Sequence, residues 1–198
     1  MTDNYTKIVL NNLQQLYQNI PPNLAEALGG QAENDRFIFN AFGETCILES
    51  GKIMLDDKIQ TGVVGILISL YARHAKPQAC VREPFKAFKD LPDSMPYAGA
   101  FVSHTQQILV PYVSQIRECQ TIIMDKLNGE STPAAVGGDF AFVVYALPKI
   151  ALCYIFYESD EDFPASVTTL YSNNAHSFLP IAALADVGEY TSKKIIEI

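Results

Sequence analysis

The carboxylates of Glu158, Asp160, Glu161 and Asp162 crowd into one short stretch behind Tyr157, in the run YESDEDFP. Oxygen ligands grouped in a loop suit Ca²⁺ or Mg²⁺. The same group would also hold a cationic substrate, or supply a general acid and a general base. The competing account is a solvated turn, in which Asp160 caps local backbone N–H groups while Phe163 and Pro164 return the chain to the core. EF-hand spacing, with ligands at alternate positions around a central glycine, is absent. Asp139 follows Gly137-Gly138, a pair that suits either a close approach to phosphate or a plain entry into a strand. Neither a helix nor a lysine follows it, as a P-loop requires.

Elsewhere the reactive residue types are dispersed. His74, His104 and His176 form no HxH, HxxxH or HExxH pair, so spacing alone builds no zinc site. Arg73-His74 would sit at the end of a helix, where a guanidinium suits a carboxylate or phosphate. Cys46, Cys80, Cys119 and Cys153 contain no CxxC, which counts against metal fingers and ferredoxin clusters. Cys46 and Cys153 lie in apolar runs and read as buried thiols of a reducing compartment. Cys80, close to Arg82, would have a lowered pKa, but no base accompanies it. The candidate ligand-binding set is Asp139, Tyr157, Asp160, Glu161 and Asp162, together with Arg73 and His74. No catalytic residue, metal-ligand set or cofactor is specified.

The elements that must position these residues follow from periodicity. Between Phe140 and Tyr157 only Lys149 is charged, and a hydropathy window flags a membrane span. Pro148 divides the tract into two β-branched and aromatic runs of strand length, so it reads as a buried strand pair ending in the acidic turn. The aromatics Phe140, Phe142, Tyr145, Tyr154, Phe156 and Tyr157 alternate: one set must face helices, and the other would line a ligand cavity or be covered.

Upstream, Tyr5 to Ile20 reads as an amphipathic helix, and Pro21 to Gly30 as a short one. Phe37 to Phe42, Thr45 to Glu49 and Lys52 to Leu55 read as strands. Thr61 to His74 is a helix whose apolar face packs on the sheet. Ala79 to Arg82 is expected as an edge strand that would support a symmetric dimer, and Pro84 to Leu91 as a short helix. From Phe101 to Ile116 a long helical pattern contains Pro111, which kinks or splits it. Asn128 to Gly138 is a loop, Ser166 to Tyr171 a strand, and Pro180 to Ile196 a helix interrupted near Gly188. The fold class is α+β, a single domain with a mainly antiparallel sheet of about five or six strands packed against several helices.

Gly138-Asp139, Leu147-Pro148, Tyr157-x-x-Asp160-Glu161-Asp162-Phe163-Pro164-Ala165, Leu170-Tyr171 and Phe178-Leu179 together resemble a bacterial and archaeal family, domain of unknown function 3786. Leu67 to Ala75 adds a further match, so the resemblance runs from about residue 35 onward, with the N-terminal helices before it. Ser159 stands where the family pattern has glycine, and Tyr171 where it has phenylalanine. The resemblance implies no activity. It implies no iron–sulfur cluster either, since the extra cysteines some relatives carry are missing. It associates the chain with corrinoid-linked enzyme systems of anaerobes.

Nearly half of the residues are apolar (48%) and the net charge is −8. That is ample for a core, and the charge repels phosphate backbones, so nucleic acid is not expected as a partner. Without a signal-peptide pattern or a spanning helix, a soluble cytoplasmic protein is expected. Three functions compete. A non-catalytic small-molecule or cofactor-handling domain needs a concave pocket between sheet and helices. An accessory module for an enzyme partner needs an exposed apolar patch, expected around Tyr97 to Ile116. A metal-dependent enzyme would use the loop 158–162.

Overall fold

Residues 4–133 and 136–198 are described by a computed structural model. Helix α1 (Asn4–Gln18) buries Val9, Leu13 and Leu16 on one stripe. It stops short of Ile20 because Pro21 disfavours helical geometry in the residue before it. Helix α2 (Leu24–Leu28) ends at Gly29, whose φ of +71° is left-handed. The N–H groups of Gly29 and Gly30 return to Glu26 and Ala25, satisfying the last carbonyls.

Five short strands then meander in chain order: β1 (Gln31–Glu33), β2 (Arg36–Ala41), β3 (Glu44–Glu49), β4 (Lys52–Leu55) and β5 (Lys58–Ile59). Phe37, Phe39, Ala41, Cys46, Leu48, Ile53 and Leu55 point inward, every second residue. β1 and β5 have no counterpart among the strands expected from the sequence. Their residues are all exposed, so no alternation marks them. Helix α3 (Val63–His74) follows, burying Leu67, Ile68, Tyr71 and Ala72.

Ala79 to Arg82 is not a strand. The side chain of Asn174 accepts from the Val81 N–H and donates to the Ala79 carbonyl, while the Asn173 N–H donates to Arg82. Two asparagines thus pin this segment as a strap where a strand ladder was expected. The actual edge is β6 (Lys86–Ala87), and the helix expected over Pro84 to Leu91 is only a 3₁₀ turn at Phe88–Asp90. Phe88 stacks on Phe101 at 4.4 Å, drawing the chain inward.

A continuous helical path then runs through α4 (Ala98–Phe101), a π turn at Val102–Gln106, a 3₁₀ stretch at Gln107–Tyr112 and α5 (Val113–Lys126). Pro111 lies in the 3₁₀ stretch, so its missing N–H is absorbed by changes of helical pitch. The expected loop after Asn128 contains β7 (Glu130–Ser131); residues 134 and 135 of that loop lie outside the described residues.

The apolar tract forms the expected pair of strands, β8 (Phe140–Leu147) and β9 (Ile150–Tyr157), followed by β10 (Ser166–Tyr171). The second sheet is antiparallel with order β6-β10-β9-β8-β7. The strands are therefore divided between two five-stranded sheets. Helix α6 (Ile181–Glu197) runs unbroken through Gly188, contrary to the expected interruption. That glycine is there for proximity: a Cβ on it would lie 2.6 Å from Phe101 and 2.8 Å from the Tyr171 hydroxyl.

One face of the second sheet carries Phe142, Tyr154, Phe156 and Tyr171 into the main core. The Tyr154 and Tyr171 hydroxyls hydrogen-bond Ser192 and the Leu184 carbonyl, docking α6. The opposite face buries the smaller Val143, Ala151, Cys153 and Ile155 beneath Cys80 and Phe85 of the strap. The sheets join where the Phe42 N–H donates to the Ala146 carbonyl at 2.7 Å. All four cysteines are free. Among the described residues, no helix is long and apolar enough to cross a membrane.

Candidate functional site

The acidic turn leaves β9 at the rim of the second sheet, and local hydrogen bonds occupy its best-placed oxygens. Asp160 Oδ1 accepts from the N–H groups of Asp162 (2.9 Å) and Phe163 (2.7 Å). The Asp139 carboxylate accepts from the Glu158 N–H at 2.7 Å, fastening the start of β8 to the end of β9. Glu158 pairs with Arg117 of α5, whose guanidinium lies 5.7 Å from the Phe140 ring. Among the described residues, no three His, Cys, Asp or Glu side chains are grouped to hold a metal. Tyr157, Glu161 and Asp162 stand exposed beside this turn.

Arg73 and His74 are elsewhere. Arg73 donates to Asn12 Oδ1 at 2.8 Å, and Asn12 donates to Ser69 Oγ, so Arg73 serves the contact between α1 and α3. His74 Nδ1 lies 2.9 Å from the Leu70 carbonyl of its own helix. Just beyond, the Lys76 carbonyl accepts from the ammonium of Lys149, at the head of β9. The acidic turn is at the foot of the same eight-residue strand, about 23 Å away at ~3.3 Å per residue. The two halves of the candidate set therefore occupy opposite ends of β9.

Among the described residues, the aromatic face is filled by its own rings. Phe140 and Phe156 stack at 4.5 Å, Phe142 lies 5.3 Å from Phe156, and Phe142, Tyr154 and Phe156 are fully buried. On the other face, Tyr145 donates to Glu130, which also takes the charge of Arg82. Cys80 is not activated. Its partial burial against the second sheet raises its thiol pKa, and this outweighs the lowering by Ser172, the Ala151 backbone and Arg82.

A half-open groove of about 620 Å³ lies between α3 and α6, and Tyr5 of α1 also lines it. Its floor is Val63, Ile66, Leu67 and Leu70 from α3, and Pro180, Ala182 and Ala183 from α6. Over the next turns of α6, Asp186, Glu189, Tyr190 and Lys193 form a polar wall. Glu189 receives Lys193 at 2.5 Å and His104 at 3.3 Å. The Lys193 hydrogen bond chiefly holds its carboxyl below the ordinary range. Asp186 has no salt-bridge partner among the described residues. Partial burial, and then the charge of Glu189, raise its pKa.

None of the seven sequence candidates lines this groove. Its signal in the sequence was the small-residue start of α6, IAALAD, whose alanines leave space beside a neighbouring helix. Four residues of the α3 face assigned from periodicity to the sheet, Val63, Ile66, Leu67 and Leu70, line the groove, while Leu67 and Tyr71 also reach the core.

Domain of unknown function (DUF3786) matches residues 21–194. The chain belongs to this family. The DUF3786 region contains both helical walls of the groove, while α1 lies before it and adds Tyr5. No similar curated protein and no similar solved structure was found.

Proposed function

We propose that this DUF3786 domain is a non-catalytic, soluble and cytoplasmic small-molecule-handling protein, with the groove between α3 and α6 as its receptor. The supporting observation is the groove itself: its 620 Å³ falls within the usual range of ligand sites, and it combines an apolar floor with few polar groups. Four free thiols suit a reducing compartment. A net charge of −8 repels phosphate backbones, which supports a ligand other than nucleic acid. Nile red, a neutral apolar dye, tests the site. It should bind and brighten, and Val63→Trp, at an exposed position of the floor, should abolish the signal without lowering the unfolding midpoint. Undiminished dye binding in that variant removes the groove from consideration.

A second function, an interaction module, draws on the kinked helical path and the turn just before it, where Met95 (77% exposed), Tyr97, Val102 and Tyr112 leave large apolar side chains in solvent. If two copies meet there, sedimentation should show a concentration-dependent dimer that Met95→Lys weakens. A monomer at all concentrations excludes that assembly. Metal-dependent catalysis at 158–162 has no comparable support, because Asp160 serves two backbone N–H groups and Glu158 is paired with Arg117.

A further inference from the structure

We infer that the groove selects an organic ammonium, an apolar body carrying one cationic nitrogen, with Asp186 as the counter-charge. This rests on the groove being a ligand site and adds the chemical class of what enters it. On the wall, Lys193 and His104 both turn to Glu189, so the lysine charge is already met inside the wall. Asp186 has no such partner among the described residues, and with His104 neutral the wall retains one net negative charge. Asp186 is solvent-exposed at the edge of the apolar floor, so its pull on a cation is that of an unpaired surface carboxylate, added to the contact the ligand's apolar body makes with the floor.

The remaining polar surfaces suit the same ligand. Tyr5 and Tyr190 line the groove from opposite elements, and tyrosine rings attract ammonium groups through their negative faces. Asp186 and Glu189 also border a smaller depression of about 240 Å³ between α6 and the π turn, lined by Tyr97 and His104. The negative wall is thus a ridge that a cation can approach from two sides. A carboxylate or phosphate ligand would meet this charge in a site whose one lysine is already paired, which sets the order of preference.

Competition against bound Nile red by octylamine, octanol and octanoate at neutral pH tests the inference. Octylamine should displace the dye at about one-fifth the concentration of octanol, the scale of a partly exposed ion pair, and octanoate should be the weakest. Asp186→Asn should bring the three competitors together, whereas Asp125→Asn, the same charge change on exposed α5, should leave their order intact. Equal displacement by amine and carboxylate in the wild type overturns the inference, as does an amine preference that survives Asp186→Asn. Failure of Nile red to bind, or binding indifferent to Val63→Trp, removes the groove itself, so the two ideas fail by different results.

Discussion

At the residue scale, two of the carboxylates that stand out in the sequence, Asp139 and Asp160, are committed to backbone N–H groups. Asp160 satisfies two N–H groups that would otherwise lack protein partners as the chain turns toward β10. Asp160→Ala should therefore cost about 1–2 kcal/mol, seen as a lower urea midpoint; an unchanged midpoint would show that solvent replaces those bonds freely. The thiols yield a second expectation. Burial pushes the Cys153 pKa up to about 12 and that of Cys46 higher still. Both remain protonated at pH 8, and raising the pH to 9 does not change that, because it stays far below their pKa values. Ellman's reagent should label at most Cys80 and Cys119 in the native protein and all four after unfolding. A third fast thiol under native conditions contradicts this burial pattern.

Among the elements, glycines separate by what surrounds them. Gly188 lies where α6 meets the π turn, with Phe101, Tyr171 and Thr105 within 3.1 Å of an added Cβ. Gly99 in α4 has nothing within 4 Å. Alanine at 188 should cost about 1–3 kcal/mol through overpacking, and alanine at 99 should gain about 0.5–1 kcal/mol through helix propensity. Thermal or urea unfolding of the two single variants checks both signs. A neutral Gly188→Ala would mean that the helices can separate at no cost. The same comparison explains the misread break in α6: a mid-helix glycine weakens a helix locally, and packing against a close neighbour outweighs that loss.

For the whole molecule, the two sheets share one core. Residues from Val9 in α1 to Ile195 in α6 belong to a continuous apolar cluster. Phe42 bonds to Ala146 across the sheets and packs edge-on against Tyr190 at 4.7 Å. Lys194 pairs with Glu44 at the same seam. The chain should therefore unfold as one unit despite its length: far-UV circular dichroism and tyrosine fluorescence should trace one transition. Leu48→Ala in the first sheet and Leu152→Ala in the second should each lower it by about 2–5 kcal/mol. Two separated transitions would show that each sheet folds with its own helices.

The sequence by itself determined the strong local elements. Pro148 splitting an apolar tract, Phe37-x-Phe39-x-Ala41 alternation and the three- and four-residue spacing in α1 and α3 are short-range patterns, and each element formed close to where it was read. Even the DUF3786 membership was legible, in the run around Asp160 to Ala165. Tertiary structure decided what no local pattern encodes. The exposed strands β1 and β5 exist because a neighbour pairs with them, and the strap over Cys153 is held by asparagines more than ninety residues away in sequence. The groove opens because the alanines of α6 come to face α3, a contact between segments over a hundred residues apart. Hydrophobic periodicity tells which side of a helix is buried. It does not tell how completely the opposing surface fills the space, and a binding cavity is made by that mismatch.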